Sequence, residues 1–260
     1  MKKFWIGSAM VLAALLFAGC GKKAAKNYLV MGTDAKFPPF ELRAEAEGAG
    51  VVGFDVDVAQ AIAEKAGRPL KIVEMEFDRL LPALAEGKVD LVLAALSITP
   101  ERRELVDFSV PYYKATQVAL ILAGEPVPQS NEELKGMRTA AQAGTTGYAI
   151  AEDLTSAENL RAVASPQAAA VDLMNSQVDL VIVDEQPAIH LAERNPELYL
   201  IRPEFDEEFY GVAVRKGNTN LLETVNQVLG EISADGRYDQ FVDRWLIRTE
   251  AEAQAEAEAQ

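Results

Sequence analysis

The sequence predicts an α/β fold built as two units. Short apolar strands alternate with segments of helical periodicity throughout the folded part. One strand sequence recurs, as Val89-Asp90-Leu91-Val92 and Val178-Asp179-Leu180-Val181, and each copy leads into a polar segment, Ser97-Ile98-Thr99 or Asp184-Glu185. In open α/β sheets ligands bind beyond the carboxyl ends of strands, so two such units suggest two lobes, each offering a strand end to one cleft.

The elements follow in order. Tyr28 to Gly32 reads as a strand. From Asp55, the residues Val58, Ala59, Ile62, Ala63 and Ala66 recur at helical spacing until Gly67. Leu70 to Val73 is a strand, Arg79 to Ala85 a helix, and Leu91 to Ala94 a buried strand. Ser165-Pro166 marks a helix start with proline at its first position. Leu180 to Val183 is a strand and Pro187 to Ala192 is helical. Two amphipathic helices close the chain, one carrying Leu221, Leu222, Val225, Val228, Leu229 and Ile232, the other Tyr238, Phe241, Trp245 and Leu246.

The ends of the chain read differently. Met1-Lys2-Lys3, the apolar run Phe4 to Phe17 and Ala18-Gly19-Cys20 have the layout of a leader with a cleavage site. The run falls short of the roughly 20 apolar residues that span a bilayer. Cys20 is the only cysteine, so an internal disulfide is impossible and a lipid thioether is the expected fate. Loss of Lys2 and Lys3 takes the formal charge from -15 to about -17, against nucleic acid, which needs a basic face. The tail alternates Ala with Glu and Gln and has no large apolar residue to bury. What remains is about 220 residues, enough for two small lobes.

No metal or nucleophile constellation is evident. His190 is the only histidine, and metal sites and triads need partners. Gly144-Thr145-Thr146-Gly147 lacks the lysine of a phosphate loop. No cofactor is expected. The chemistry lies instead in polar and aromatic residues near element ends: Asp34, Phe37, Phe77, Ser97-Ile98-Thr99-Pro100-Glu101-Arg102, Gln142, the Gly-Thr turn and Asp184. Spacing alone leaves bland alternatives open: Arg102 as a surface arginine in a charged run, Asp184 as a cap of the next helix.

These motifs, with Pro38-Pro39-Phe40-Glu41 and Gly53-Phe54-Asp55, strongly resemble the family 3 extracellular solute-binding proteins, receptors of polar amino acid ABC importers. Leu16-Phe17-Ala18-Gly19-Cys20 likewise resembles the lipobox of bacterial lipoproteins, with Phe17 where leucine is more usual. The first resemblance covers Tyr28 to Leu246. It implies a two-lobe periplasmic-binding-protein fold of type II, each lobe a mixed sheet flanked by helices and joined by two hinge strands. Lobe one is expected at 28–114 and 210–247, lobe two at 115–209. A leader over 1–19, a tether over 20–27 and an acidic tail over 248–260 complete the chain. The hinges are expected near Tyr113 to Thr116 and Phe209 to Gly211.

The resemblance also implies roles. Arg102 takes the ligand's α-carboxylate, as a guanidinium fork can. Ser97 contacts both ends of the zwitterion, the Ala95 carbonyl accepts from the ammonium, and Thr145 and Thr146 bring a helix start to the carboxylate. Asp184 pairs with the ammonium. Phe37 and Phe77 sandwich the side chain, although core packing is an alternative for both. Asp34 and Gln142 are the remaining side-chain contacts, and Ala94 stands where some basic-ligand relatives carry a hydroxyl. Arginine, lysine, histidine and glutamine all stay open, with a basic or amide group favoured. The implied protein is a monomeric, lipid-anchored extracytoplasmic receptor that closes on a free amino acid and docks on a permease, not an enzyme. An exported dehydratase on the same fold, using Asp34 or Glu41, is the competing class, and an adhesion protein without a ligand the third.

Overall fold

The computed structural model describes residues 28–44 and 50–246. The expected leader, Cys20, the tether and the acidic tail lie outside these residues. The chain starts with β1 (Leu29–Thr33), then a small three-stranded sheet of β2 (Lys36–Phe37), β3 (Glu41–Arg43) and β4 (Val51–Val52). Next come α1 (Phe54–Lys65), β5 (Leu70–Glu74), α2 (Phe77–Ala85), β6 (Leu91–Val92), α3 (Pro100–Leu105) and β7 (Val106–Phe108). The middle holds β8 (Tyr113–Leu122), α4 (Asn131–Leu134), β9 (Thr139–Gln142), α5 (Thr146–Leu154) and β10 (Leu160–Val163). It continues with α6 (Pro166–Met174), β11 (Leu180–Asp184), α7 (Glu185–Arg194) and β12 (Leu198–Ile201). The chain then returns through β13 (Glu207–Tyr210) and β14 (Ala213–Arg215) to α8 (Thr219–Ala234) and α9 (Arg237–Trp245).

The two large sheets share one plan. Their orders are β5-β1-β6-β14-β7 and β10-β9-β11-β8-β12. In both, the first three strands are parallel, and the fourth and fifth each run antiparallel to their inner neighbour. The repeated Val-Asp-Leu-Val therefore occupies the same third place twice. Asp90 donates its N–H to the Val30 carbonyl at 2.8 Å and accepts the Val30 N–H at 3.0 Å. Asp179 donates to the Arg138 carbonyl at 2.7 Å and accepts from Arg138 Nε at 2.9 Å. In each lobe the aspartate ties the start of its strand to the adjacent parallel strand.

Parallel strands covered on both faces read as unbroken apolar runs. Leu29 and Met31 of β1 face one core cluster and Val30 the opposite one. In β11, Val181 and Val183 face one cluster and Leu180 and Ile182 the other. Serine and proline open α6 as their positions suggest, with Ser165 Oγ accepting from the Ala168 N–H at 3.2 Å.

β8 is shared between neighbours. Tyr113 to Thr116 pair with β13, and Gln117 to Leu122 pair with β11 and β12. Segment 96–98 also bonds to the end of β13, through Ile98 N–H to the Phe209 carbonyl at 2.8 Å and Gly211 N–H to the Leu96 carbonyl at 3.1 Å.

One glycine is indispensable to the first lobe. Gly53 has φ of 139°, and a Cβ there would lie 2.1 Å from the Phe40 carbonyl oxygen. The close approach lets Phe54 and Asp55 donate to the Pro39 and Phe40 carbonyls and start α1. Gly53→Ala is expected to destabilise the fold by about 3 kcal/mol, roughly 6–12 °C in Tm. Gly67→Ala, where φ is 62° and nothing lies within 4 Å, should cost about 1 kcal/mol. Thermal denaturation of the two variants checks the difference.

Candidate functional site

The polar residues converge where strands β1, β6, β9 and β11 end. Asp34 follows β1, Ala95 and Ser97 follow β6, Gln142 ends β9, and Asp184 ends β11. Short-range geometry aims each group. Thr99 caps α3 by accepting the Arg102 N–H at 3.2 Å, with Pro100 at the first position. Helical side chains lean toward the N-terminus, so Arg102 folds back over the cap. Its guanidinium donates to the Ser97 carbonyl at 2.7 Å and, across the cleft, to the Gly144 carbonyl at 3.0 Å. It also lies 5.5 Å above the Phe77 ring. Arg102 is thus no free surface arginine. Among the described residues it forms no ion pair, and burial pulls its pKa below the usual value.

In the second lobe, Gly144 adopts φ of 79° and turns β9 into α5. Thr145 caps that helix, accepting from the Tyr148 N–H at 3.1 Å while its hydroxyl donates to the Gln142 carbonyl at 2.7 Å. The start of α5, with Thr146 first, therefore faces Ser97, and the two hydroxyls lie 3.5 Å apart. Asp184 occupies the cap position of α7 but makes no cap bond. Its carboxylate instead accepts from the Tyr210 hydroxyl of β13. Burial, and then the nearby Glu208 charge, push its pKa up to about 7.

Ala95 has a left-handed φ of 46°, uncommon for alanine. The strain is held by Asp55, whose carboxylate accepts the Ala95 N–H at 2.8 Å and the Tyr112 hydroxyl at 2.8 Å. The fully buried Glu41 carboxyl lies beside Asp55. Burial raises both carboxyls, Asp55 to about 6 and Glu41 well above the ordinary range. Glu41 is thus committed inside the core and not presented to the cleft.

Phe37 packs on Phe40, with ring centroids 6.3 Å apart, and Phe77 lies at the edge of another cluster. The two rings do not touch each other. Gln142 Nε2 reaches across the cleft to Asp34 at 2.9 Å. A cavity of about 300 Å³ opens beside them, lined by Glu76, Phe77, Gln142 and Ala164 among others. A larger one of about 550 Å³ lies on the outer side of the second lobe, lined by Leu122, Val127, Leu173 and Asp179, away from these strand ends.

Several participants were not apparent from the sequence. Glu208 sends its carboxylate to both the Ser97 hydroxyl at 2.5 Å and the Thr146 hydroxyl at 2.8 Å, bridging the lobes from a connecting strand. Tyr210, Gln117, Asp55 and Lys36 also touch site residues. The partners of Tyr210, Gln117 and Asp55 are far off in the chain, Lys36 lies two residues from Asp34, and only the expected hinge at Phe209 to Gly211 and the motif Gly53-Phe54-Asp55 had drawn notice. Among the described residues no group of three or more His, Cys, Asp and Glu side chains could hold a metal. No helix there is long and apolar enough to cross a membrane.

Residues 29–248 match the model of the bacterial extracellular solute-binding proteins, family 3. The chain is 33% identical to the ABC transporter arginine-binding protein 1 of Escherichia coli K12, over 91% of this chain and 98% of that one. It is 31% identical to a probable histidine-binding protein of Neisseria gonorrhoeae, over 97% and 98%. Among solved structures, an ancestral arginine-binding protein bound to glutamine superposes with a TM-score of 0.79 at 37% identity, covering 85% of this chain and 98% of that chain.

The electrostatics of Asp184 carry a stability prediction. The folded chain holds its proton to about pH 7, whereas the ordinary value is 3.8. The folded state therefore binds more protons than the unfolded one between those limits, and this group's contribution to stability falls as pH rises through them, by roughly 1.4 kcal/mol per unit at most. The lowered surface carboxylates Asp107, Asp179 and Asp235 act below their ordinary 3.8, outside this window. Urea unfolding of the dialysed protein from pH 5 to 8 should show stability declining with pH, with a shallower slope in Asp184→Asn. An unchanged slope contradicts the assignment.

Proposed function

The chain belongs to family 3 of the bacterial extracellular solute-binding proteins, and on that premise we propose that it captures a free α-amino acid between Arg102 and Asp184. The observation that carries this reading is a guanidinium held on two backbone carbonyls, without a carboxylate partner among the described residues, in the same cleft as a buried carboxylate. A zwitterion supplies the missing charge to each. Its carboxylate meets Arg102 and the N-terminus of α5, where anions are favoured. Its ammonium meets Asp184, with the Ala95 carbonyl and Ser97 beside it. Relatives named as an arginine-binding protein of an ABC transporter and as a probable histidine-binding protein support the ligand class.

Lobe one comprises 28–114 and 210–247 and lobe two 115–209, and closure turns on β8 near Tyr113 to Thr116 and on Phe209 to Gly211. The pairing of β8 with β13 between the sheets supports that placement. The hydrogen bonds of Arg102 to Gly144 and of Gln142 to Asp34 both cross from one lobe to the other, as closure on a ligand requires. Delivery to a membrane permease and a monomeric state complete the proposal. So does anchoring by a lipid on Cys20, which rests on the lipobox-like run. A dehydratase has less support: Glu41 is fully buried against Asp55, and Asp34 is held by Lys36 and Gln142.

A thermal-shift screen of the proteinogenic amino acids checks capture. A ligand at 100 times its Kd stabilises the fold by about 2.7 kcal/mol, roughly 5–11 °C in Tm at this size. Arg102→Ala and Asp184→Ala should each weaken binding by about 2–5 kcal/mol, because each leaves a desolvated charge unpaired. A shift that survives both substitutions contradicts the clamp. Cys20→Ala should move the protein from the membrane to the soluble fraction of cells and abolish labelling by palmitate.

A further inference from the structure

Two hydroxyls in the cleft commit their protons to one atom. Ser97 Oγ donates to Glu208 Oε2 at 2.5 Å, and Thr146 Oγ1 donates to the same oxygen at 2.8 Å. Ser97 follows β6, Thr146 opens α5, and Glu208 arrives from β13 between them. Ser97 is buried and Glu208 half-buried, so these bonds are largely withdrawn from water. The negative charge of Glu208 acts on both Arg102 and Asp184, which puts it within electrostatic reach of each half of the clamp.

A hydroxyl has one proton and two lone pairs. With that proton on Glu208, the oxygen can only accept from any further partner. Thr146 Oγ1 does so, taking Gln117 Nε2 at 3.3 Å, from an amide that also bonds Asp184. Ser97 Oγ is left in the same state. A ligand carboxylate has no proton to give it and meets the like charge of Glu208, whereas an ammonium brings three donors. The Ser97 side chain therefore serves the ammonium alone. The carboxylate is left to Arg102 and the start of α5.

We infer that Glu208 is a positioning residue for the α-ammonium: it fixes the Ser97 hydroxyl as an acceptor, so that the clamp distinguishes the ammonium end of the ligand from the carboxylate end. The inference rests on the amino-acid capture proposed above and holds whichever side chain the ligand carries.

Isothermal titration calorimetry on the intact chain, refolded free of bound amino acid, tests it. The probes are the tightest binder among arginine, lysine, histidine and glutamine, and its analogue without the α-ammonium: δ-guanidinovalerate, ε-aminocaproate, imidazolepropionate or glutaramate. Glu208→Gln keeps the reach but offers an amide that can donate to Ser97 and release its proton toward the ligand. It should weaken the parent amino acid at least about tenfold and leave the analogue within about threefold of wild type, or tighter. The ratio of the two affinities within one variant cancels any change in the folded or closed population. Equal losses for parent and analogue, as a purely structural role would give, overturn the inference, and so does an unchanged parent affinity. Ser97→Ala should weaken the parent similarly and make Glu208→Gln nearly silent, with less than about threefold further loss. An undiminished effect in that background overturns the route through Ser97; in each of these cases capture stands. Failure of the wild type to bind any amino acid overturns both readings together.

Discussion

A carboxylate taken out of water without a cation is an unfavourable object, and the site is organised around one. Asp184 ends a strand buried on both faces, and its side-chain hydrogen-bond partners are neutral groups, the Tyr210 phenol and the Gln117 amide. A phenol softens the penalty without cancelling the charge, so the carboxyl holds its proton to about pH 7. That leaves Asp184 short of a cation and close to neutrality, able to ionise when an ammonium arrives. Arg102 mirrors it: two of its five donors go to backbone carbonyls, which orient the guanidinium but do not neutralise it. Two incompletely compensated charges of opposite sign in one cleft describe the complement of a zwitterion.

The rest of the fold holds these charges in place. The duplicated sheet plan brings equivalent strand ends to one cleft, and the repeated aspartates Asp90 and Asp179 secure the third strand of each sheet. Below Ala95, the Glu41–Asp55 pair holds a left-handed peptide that no local preference favours. Backbone strain of this kind persists only where surrounding groups determine it, as the Asp55 carboxylate does here. Glu208 adds a connecting-strand carboxylate that joins the Ser97 and Thr146 hydroxyls.

Much of this was legible in the sequence, for identifiable reasons. β1 and β11 were evident because parallel strands buried on both faces become apolar runs, and α6 because serine followed by proline is a local start signal. The expected strand of Leu91 to Ala94 pairs only over Leu91–Val92, because the chain must turn through Ala95 to reach the cleft. Arg102 and Asp184 stood out by their place after strands, while their bland alternatives needed geometry to settle: Arg102 lies over its helix cap, and Asp184 makes no cap bond. Glu208 and Tyr210 were not legible as site residues. Glu208 lies 111 positions from Ser97, and Tyr210 lies 26 from Asp184, so no periodicity or motif connects them. Long-range polar contacts come from topology, which local patterns do not encode.

The central claim is that the site recognises the two charges on one α-carbon. Titration calorimetry of the amino acid that gives the largest thermal shift tests it most directly, against two analogues of that ligand, one lacking the α-ammonium and the other the α-carboxylate. Each analogue leaves one buried charge without a partner, and each should bind at least about 30-fold more weakly than the parent amino acid, the equivalent of 2 kcal/mol. Either analogue binding within a few-fold of the parent would contradict the account.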